Sequence, residues 1–277
     1  MPLTRRTLLH TTALLAAAGA TAATGTAAAA TGHPRGRIPH ESISIQLYTL
    51  RTLLDEDVPG TLRQVADLGY RSVETADLHG RTAAEFRTIL DDLGLRATSG
   101  HVDLDDGVDA LIEDAHALGH RQVVVPHAVF DTADGWRVFA DELNEAGRKC
   151  RAAGLRFGYH NHDHEFAPVD GVLPYDVLRE RTDRRFVHFE LDLYWAVHAG
   201  QDVLALIDAE RDRIRQLHVK DRAPDGEMAD PGTGTMDFPA IFAHARSACE
   251  YIVEHDQPTD PLRTAGVGFD YLRAVRW

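Results

Sequence analysis

Four short stretches of this chain each end an apolar, strand-like run on a residue able to hold a divalent metal. They are FGYHNHDHEF (Phe157 to Phe166), VHFELDLYW (Val187 to Trp195), IRQLHVKD (Ile214 to Asp221) and YIVEHD (Tyr251 to Asp256). The candidate ligands are His160 or Glu165, then Asp192, His218 and Glu254. Carboxylates mixed with imidazoles suit Mn, Mg, Co or Zn, and no cysteine competes for the role in these stretches. One such stretch would mean little. Four in succession, each at the C-terminal end of a predicted strand, is how a parallel α/β barrel presents its chemistry.

The elements that must position these residues are legible in a repeat. An amphipathic helix, a glycine, one variable residue, an arginine and an apolar strand recur in ADLGYRSVET, DDLGLRATSG, HALGHRQVVV and RAAGLRFGYH, around Gly69, Gly94, Gly119 and Gly154. Glycine just past a helix adopts the left-handed cap that turns the chain into the next strand. Alternating helices and strands with such short joints imply a parallel sheet. Eight strands are predicted: Ile43–Leu47, Ser72–Thr75, Arg96–Ser99, Gln122–Pro126, Arg156–His160, Phe186–Leu191, Arg215–Val219 and Glu250–Val253. Helices are predicted between them, among them Val58–Leu68, Ala83–Leu93, Gly135–Ala153 and Val203–Arg213, with a final helical segment near Phe269–Val275. Eight such units read as a closed (β/α)8 TIM barrel, a single catalytic domain over residues 43–277.

An open, doubly wound sheet is the competing architecture, and no glycine-rich phosphate loop follows the first strand to support it. Gly232-Thr233-Gly234 lacks the phosphate-loop lysine and reads as a turn leading to Asp237, a helix cap with Pro239 in the first turn. The segment Phe238 to Tyr251 lacks the helix-ending glycine of the earlier repeats, so the joint before Glu254 is differently built.

Residues 1–30 form no part of this fold. Thr4-Arg5-Arg6-Thr7-Leu8-Leu9-His10 is a twin-arginine signature, followed by an Ala/Leu/Thr stretch and a small-residue cleavage region. The expectation is a signal peptide, then a linker over 31–42, and a secreted or otherwise extracytoplasmic protein with no stable membrane insertion after cleavage. The formal net charge is −14, and loss of Arg5 and Arg6 makes the mature chain more negative still. That balance argues against a nucleic-acid partner. The sequence shows no basic cluster to hold a phosphate. Cys150 and Cys249 are the only cysteines, each placed on a predicted helix, and their spacing suggests no disulfide. Nothing here decides between a monomer and a homo-oligomer.

The chain resembles the sugar phosphate isomerase/epimerase proteins with the xylose-isomerase-like barrel. IQLYTLR, GYHNHDHEF, ELDLYW, LHVKD and YIVEHDQP carry the resemblance, which extends from about Ile43 to Trp277. It implies one divalent metal at the ends of strands five to eight, with Asp192, His218 and Glu254 matching strands six, seven and eight. Related isomerases place a glutamate on strand five. Here that position is His160, and Glu165 five residues on could supply the carboxylate instead. A site with two imidazoles shifts the balance toward Zn, Co or Mn over Mg.

Each candidate has a plainer role beside the functional one. Asp192 could cap a helix, His218 could be a satisfied core histidine, and Lys220 could be a solvated loop lysine. The functional readings make Lys220 a cation aimed at a substrate oxygen and His162 a substrate-facing group. Glu74, His101 and His127 end strands two, three and four and are expected in the pocket, while Trp195 could wall a sugar ring. His198 is assigned to the following helix.

Such a site polarises a sugar carbonyl, and a carboxylate removes the neighbouring proton. Glu254 is the first candidate base and Glu165 the second. Returning the proton elsewhere isomerises or epimerises; expelling a β-substituent makes a lyase or dehydratase. An exported protein meets free sugars, keto sugars or 3-keto-glycosides rather than sugar phosphates. A metal-dependent endonuclease on the same barrel needs a basic groove for DNA, and a non-catalytic sugar-binding protein needs the pocket without the base. The leader also yields a prediction: mass analysis of exported protein should place the mature N-terminus between roughly Ala28 and His33. An intact Met1 in a soluble extracellular fraction overturns it.

Overall fold

The computed structural model describes residues 36–277 apart from Asp106. The expected signal peptide and residues 31–35 of the linker lie outside the described residues. Eight strands are parallel: β1 (Ile43–Ile45), β2 (Ser72–Thr75), β3 (Arg96–His101), β4 (Gln122–Val125), β5 (Arg156–His160), β6 (Val187–Asp192), β7 (Ile214–Val219) and β8 (Glu250–Val253). Each pairs with its successor from β2 to β8, and β8 pairs with β1. A bridge between Gln46 and Glu74 joins β1 to β2 and closes the ring. The expected (β/α)8 barrel is the fold. Among the described residues no helix is long and apolar enough to cross a membrane.

Among the described residues ten α-helices surround the barrel: α1 (Arg51–Glu56), α2 (Val58–Leu68), α3 (Ala83–Asp92), α4 (Val108–Leu118), α5 (Ala133–Ala152), α6 (Pro174–Arg181), α7 (Leu193–His198), α8 (Val203–Ala209), α9 (Phe238–His244) and α10 (Pro261–Ala274). Gly69 and Gly119 cap α2 and α4 at φ 111° and 84°, the left-handed geometry that the repeat predicted. Several boundaries differ from the sequence reading, three of them for reasons the structure shows. Strand β1 stops at Ile45 because Gln46 accepts the Tyr48 N–H and starts a 3-10 turn over Leu47–Leu50. Helix α8 ends at Ala209, since Ile214 already belongs to β7. The last helix begins at Pro261, where Asp260 caps it and proline fits the first turn.

The joint before β8 is built without glycine: α9 closes at Ala245, and β8 enters in register, Val253 opposite Val219. That register carries Glu254 to the barrel mouth. Cys249 lies in this joint rather than on a helix, and both cysteines are free thiols. Asp221 folds the Gly232–Gly234 segment back by accepting the N–H groups of Gly232 at 2.9 Å and Gly234 at 2.9 Å. Asp237 then caps α9 as predicted.

Strand alternation divides the buried residues in two. Val73, Phe157, Phe189, Leu191, Leu217 and Val253 belong to the hydrophobic layer against the helices. The lumen is polar. Glu250 accepts hydrogen bonds from Gln122 at 2.7 Å and Gln216 at 3.3 Å, and also from the Thr98 hydroxyl. Glu74 accepts from Gln46 at 2.8 Å, Ser99 at 2.5 Å and Gln216 at 3.2 Å. Burial, reinforced by the Glu74 charge, pushes the Glu250 carboxyl up to about 7. Register shifts fall at Val73/Glu74 in β2 and Phe189/Glu190 in β6, beside the two lumen glutamates nearest the mouth.

The opposite end of the barrel holds a feature absent from the sequence reading. Arg151, Arg156, Arg184, Arg185, Arg213 and Arg215, from three successive helix-to-strand joints, line one cavity of about 390 Å³. Pairs scattered along the sequence meet only once the joints are stacked side by side.

Within the lumen Gly158 faces the His188 ring, and an added Cβ would lie 2.6 Å from His188 Nε2. The ring is itself held by Gln216 at 3.1 Å. Gly158→Ala should therefore destabilise the fold by roughly 1–3 kcal/mol, the usual cost of overpacking. Urea unfolding measures it, and an unchanged midpoint would show that the His188 layer yields freely.

Candidate functional site

At the C-terminal mouth the side chains close on His218, which is fully buried. Its Nδ1 lies 2.6 Å from Glu254 Oε2, and its Nε2 lies 2.8 Å from Glu74 Oε1 and 3.1 Å from Glu190 Oε2. His160 sits beside it with ring centroids 4.4 Å apart. His160 Nε2 is 3.8 Å from Asp192 Oδ2, and its Nδ1 is 3.2 Å from Glu190 Oε2. His160, Asp192, His218 and Glu254 each offer a ligand atom, all within 4.8 Å of one another. The structure thus brings together one residue from the end of each of β5 to β8.

Asp192 serves two neighbours at once. Its Oδ1 accepts the Trp195 N–H at 2.8 Å and caps α7, while Oδ2 faces the cluster. Lys220 Nζ approaches Asp192 Oδ2 at 2.8 Å, Glu254 Oε2 at 2.6 Å and Asp256 Oδ1 at 2.8 Å. This lysine is 1% exposed, so the solvated-loop role is excluded.

The electrostatics follow from burial set against these neighbours. Burial alone would discharge Lys220, but Asp192, Glu254 and Asp256 outweigh it and hold its pKa well above the usual lysine value. Burial likewise opposes charge on Glu254, and Lys220 and His218 reverse that, holding the carboxyl well below its usual range. Burial pulls His218 down, yet Glu190 and Glu254 raise it well above an ordinary imidazole. Asp192 is pushed up to about 6, burial outweighing Lys220. His160 is pulled down to about 3 by burial and then by His218. His160 is therefore neutral, with a lone pair to offer.

The two strand-five candidates part company. His160 stands in the cluster. Glu165 is fully buried behind it, accepting the Tyr159 hydroxyl at 2.7 Å and the His162 N–H at 2.8 Å, with His164 at 3.4 Å. Glu165 groups with His162 and His164 instead. Glu74 lies below the mouth, in the lumen, where it meets His218. His101 and His127 do reach the mouth, and His101 Nε2 bonds Glu190 at 2.8 Å. Trp195 packs near Lys220, whose Nζ is 5.9 Å from the ring. His198 ends α7 and meets the Tyr194 hydroxyl at 3.3 Å.

A cavity of about 470 Å³ opens over this cluster, within the size range of small-molecule sites. His101, His127, His160, His162, Lys220 and Glu254 line it together with Tyr48, Arg51, Asp256 and Gln257. Sequence reading missed Glu190, Asp256, Tyr48 and Arg51. Glu190 carried a signal: it stands two residues before Asp192 in FELD, on the same face of a strand. The donor set fits a divalent ion. Asp192 Oδ2, the oxygen left free by the α7 cap, is buried without an aligned hydrogen-bond partner. Neutral imidazole and carboxylate oxygen are the donor types that Mn, Co and Zn accept.

Residues 62–274 match the xylose isomerase-like TIM barrel family, and the chain belongs to that family. The inosose dehydratase of Geobacillus kaustophilus is 24% identical over 245 residues, which cover 69% of this chain and 79% of that protein. Other inosose dehydratases match over 41 to 42% of their own length. A solved sugar phosphate isomerase/epimerase from Parabacteroides distasonis superposes with a TM-score of 0.75 at 29% identity, covering 84% of this chain and 98% of that one. The IOLI protein, solved with a zinc atom, shares the fold with a TM-score of 0.62 at 15% identity, covering 83% of this chain and 96% of that one.

Lys220 supplies the positive charge that the buried Asp192 and Glu254 share with the partly exposed Asp256, and this can be measured directly. In metal-stripped protein Lys220→Met should cost roughly 3–5 kcal/mol, the usual result of removing one partner from a buried ion pair. A divalent ion should restore more stability to this variant than to the wild type, because it replaces the lost charge. A metal-free variant as stable as the wild type would overturn the assignment.

Proposed function

We propose that this member of the family is a divalent-metal-dependent enzyme that abstracts a proton alpha to the carbonyl of a free or keto sugar. One observation carries the reading: His160, Asp192, His218 and Glu254 converge at the mouth of a sugar-sized cavity, where the buried Asp192 Oδ2 lacks an aligned partner. These four residues would hold the ion, which when bound would polarise the substrate carbonyl.

The chain's own residues supply the rest. Lys220, charged and held by Asp192 and Glu254, presents a cation at the cavity wall for a substrate oxygen. His162 lines the cavity as a neutral imidazole, since burial and His160 lower its pKa. It can accept a hydroxyl hydrogen bond. Glu254, ionised at the cavity edge, is the proposed base; Glu165 is the second candidate, working behind His162, whose N–H it accepts. His101 and His127 complete the substrate wall on one side, and Tyr48 and Arg51 on another. Returning the proton to the adjacent carbon isomerises, and returning it to the opposite face epimerises.

Loss of a β-hydroxyl after the same proton removal makes the protein a dehydratase, and loss of the aglycone oxygen from a 3-keto-glycoside makes it a lyase. Similarity to inosose dehydratase over 79% of that protein's length favours this second reading. The twin-arginine leader supports export, and with it an unphosphorylated substrate. A non-catalytic sugar-binding protein is the alternative that proton exchange separates.

Elemental analysis of the purified chain should find one divalent ion, and keto sugars should exchange the alpha hydrogen with deuterated solvent. Asp192→Asn is the sharper variant. Asparagine keeps the α7 cap but removes the ligating charge, so ion content and exchange should both fall while the fold holds. His218→Ala is a poorer choice, because it strands Glu74, Glu190 and Glu254 without their shared cation. Glu165→Gln should keep the ion and leave exchange unchanged if Glu254 is the base; exchange slowed by ~10²-fold or more, the reach of a lost general base, would move that role to Glu165. Wild-type protein without bound metal, or without exchange on any keto sugar, overturns the proposal.

A further inference from the structure

The lumen beneath the proposed ion site holds two carboxylates that the ligand set does not use, Glu74 and Glu190. Both are fully buried, and both turn toward the imidazoles from below. Glu190 Oε2 lies within 2.8 Å of His101 Nε2, 3.1 Å of His218 Nε2 and 3.2 Å of His160 Nδ1. Glu74 Oε1 accepts from His218 Nε2 at 2.8 Å and lies 3.4 Å from His101 Nε2. The opposite nitrogens of the two proposed ligands face the mouth: His218 Nδ1 stands beside Glu254 and His160 Nε2 toward Asp192. Each imidazole therefore presents one nitrogen to the mouth carboxylates and the other to the floor.

A neutral imidazole has one N–H and one lone pair, so the group that takes the N–H decides which nitrogen is free for a metal. We propose that Glu190, with Glu74 beside it, is the positioning carboxylate of this site: it takes the inner N–H groups of His160 and His218 and fixes the tautomers that turn His160 Nε2 and His218 Nδ1 to the ion. His101 belongs to the same floor, its Nε2 bonded to Glu190 and within reach of Glu74. Carboxylates placed behind ligating histidines raise ligand basicity and hold ring orientation. The register shift at Phe189/Glu190 is what sets Glu190 under two neighbouring strands at once.

The inference rests on the proposed ligand set, and its test keeps the two apart. Long-range proton–nitrogen NMR on the 15N-histidine-labelled, zinc-loaded wild type reads the tautomers directly. The expected result is zinc on His160 Nε2 and His218 Nδ1, with protons on His160 Nδ1 and His218 Nε2. Zinc on either inner nitrogen overturns the inference, because Glu190 would then be a ligand of a deeper ion. Chelator competition gives the second readout. Glu190→Leu should weaken zinc binding by ~10–100-fold, the usual effect of losing such a partner, and Glu190→Gln, which keeps an acceptor oxygen, should recover most of it. Equal affinity in wild type and Glu190→Leu overturns this inference alone. A wild type that binds no divalent ion overturns it together with the ligand set. Should Glu190→Leu fail to fold, the wild-type tautomers still decide.

Discussion

The rest of this structure depends on charge balance among carboxylates buried in the barrel lumen. Glu74, Glu190, Asp192 and Glu254 are all buried there, and a buried unpaired carboxylate is costly. Lys220 and His218 answer them as cations, drawn upward in pKa against the pull of burial. Lower in the barrel, Glu250 has no cation close by, and its carboxyl moves up to about 7. At the mouth the carboxylates outnumber the cations that meet them, and this leaves an electrostatic place for a divalent ion.

The barrel pays for that polar interior through its outer layer. Strand residues alternate, so the apolar half packs on the helices and supplies the hydrophobic stabilisation, while the other half is free to carry chemistry. Asp192 repeats this division within one side chain: one oxygen fixes the start of α7, and the other faces the cluster. Helix and ligand position are thereby tied, since α7 cannot shift without moving the carboxylate. Trp195 follows on that helix and packs near Lys220.

Much of this was legible in the sequence because the signals were local. Strand ends at His160, Val219 and Val253 followed from apolar runs bounded by polar residues, the sixth strand reads as ending one residue short, at Leu191, and the glycine caps fixed the joints between them. What escaped depended on distant pairing. Glu190 reads as one more strand residue until β3, β5 and β7 bring His101, His160 and His218 around it. Glu74 ends β2 on paper, yet the ring closure through Gln46 draws it inward. The six-arginine cavity needed three joints side by side. Lys220 was ambiguous for the same reason, because its three carboxylate partners lie on β6 and beyond β8. Glu165 misled through its proximity in sequence: the 3-10 turn over His164–Phe166 tucks its carboxylate under Tyr159.

The histidine at the end of β5 is the point where these strands of argument meet. Related isomerases are expected to carry a carboxylate there, which brings its own negative charge to the ion. An imidazole brings none and is neutral here, its pKa lowered to about 3 chiefly by burial. Glu190 restores a negative charge one layer deeper, 3.2 Å from the far side of the same ring. In the proposed site, charge that would otherwise touch the ion directly would act through an imidazole instead. The exchange favours ions that accept nitrogen donors over magnesium, which prefers an all-oxygen shell. If the ion site is as proposed, the lumen below the mouth is part of it, and substitutions in β2, β3 and β6 that never meet substrate would be felt where the chemistry takes place.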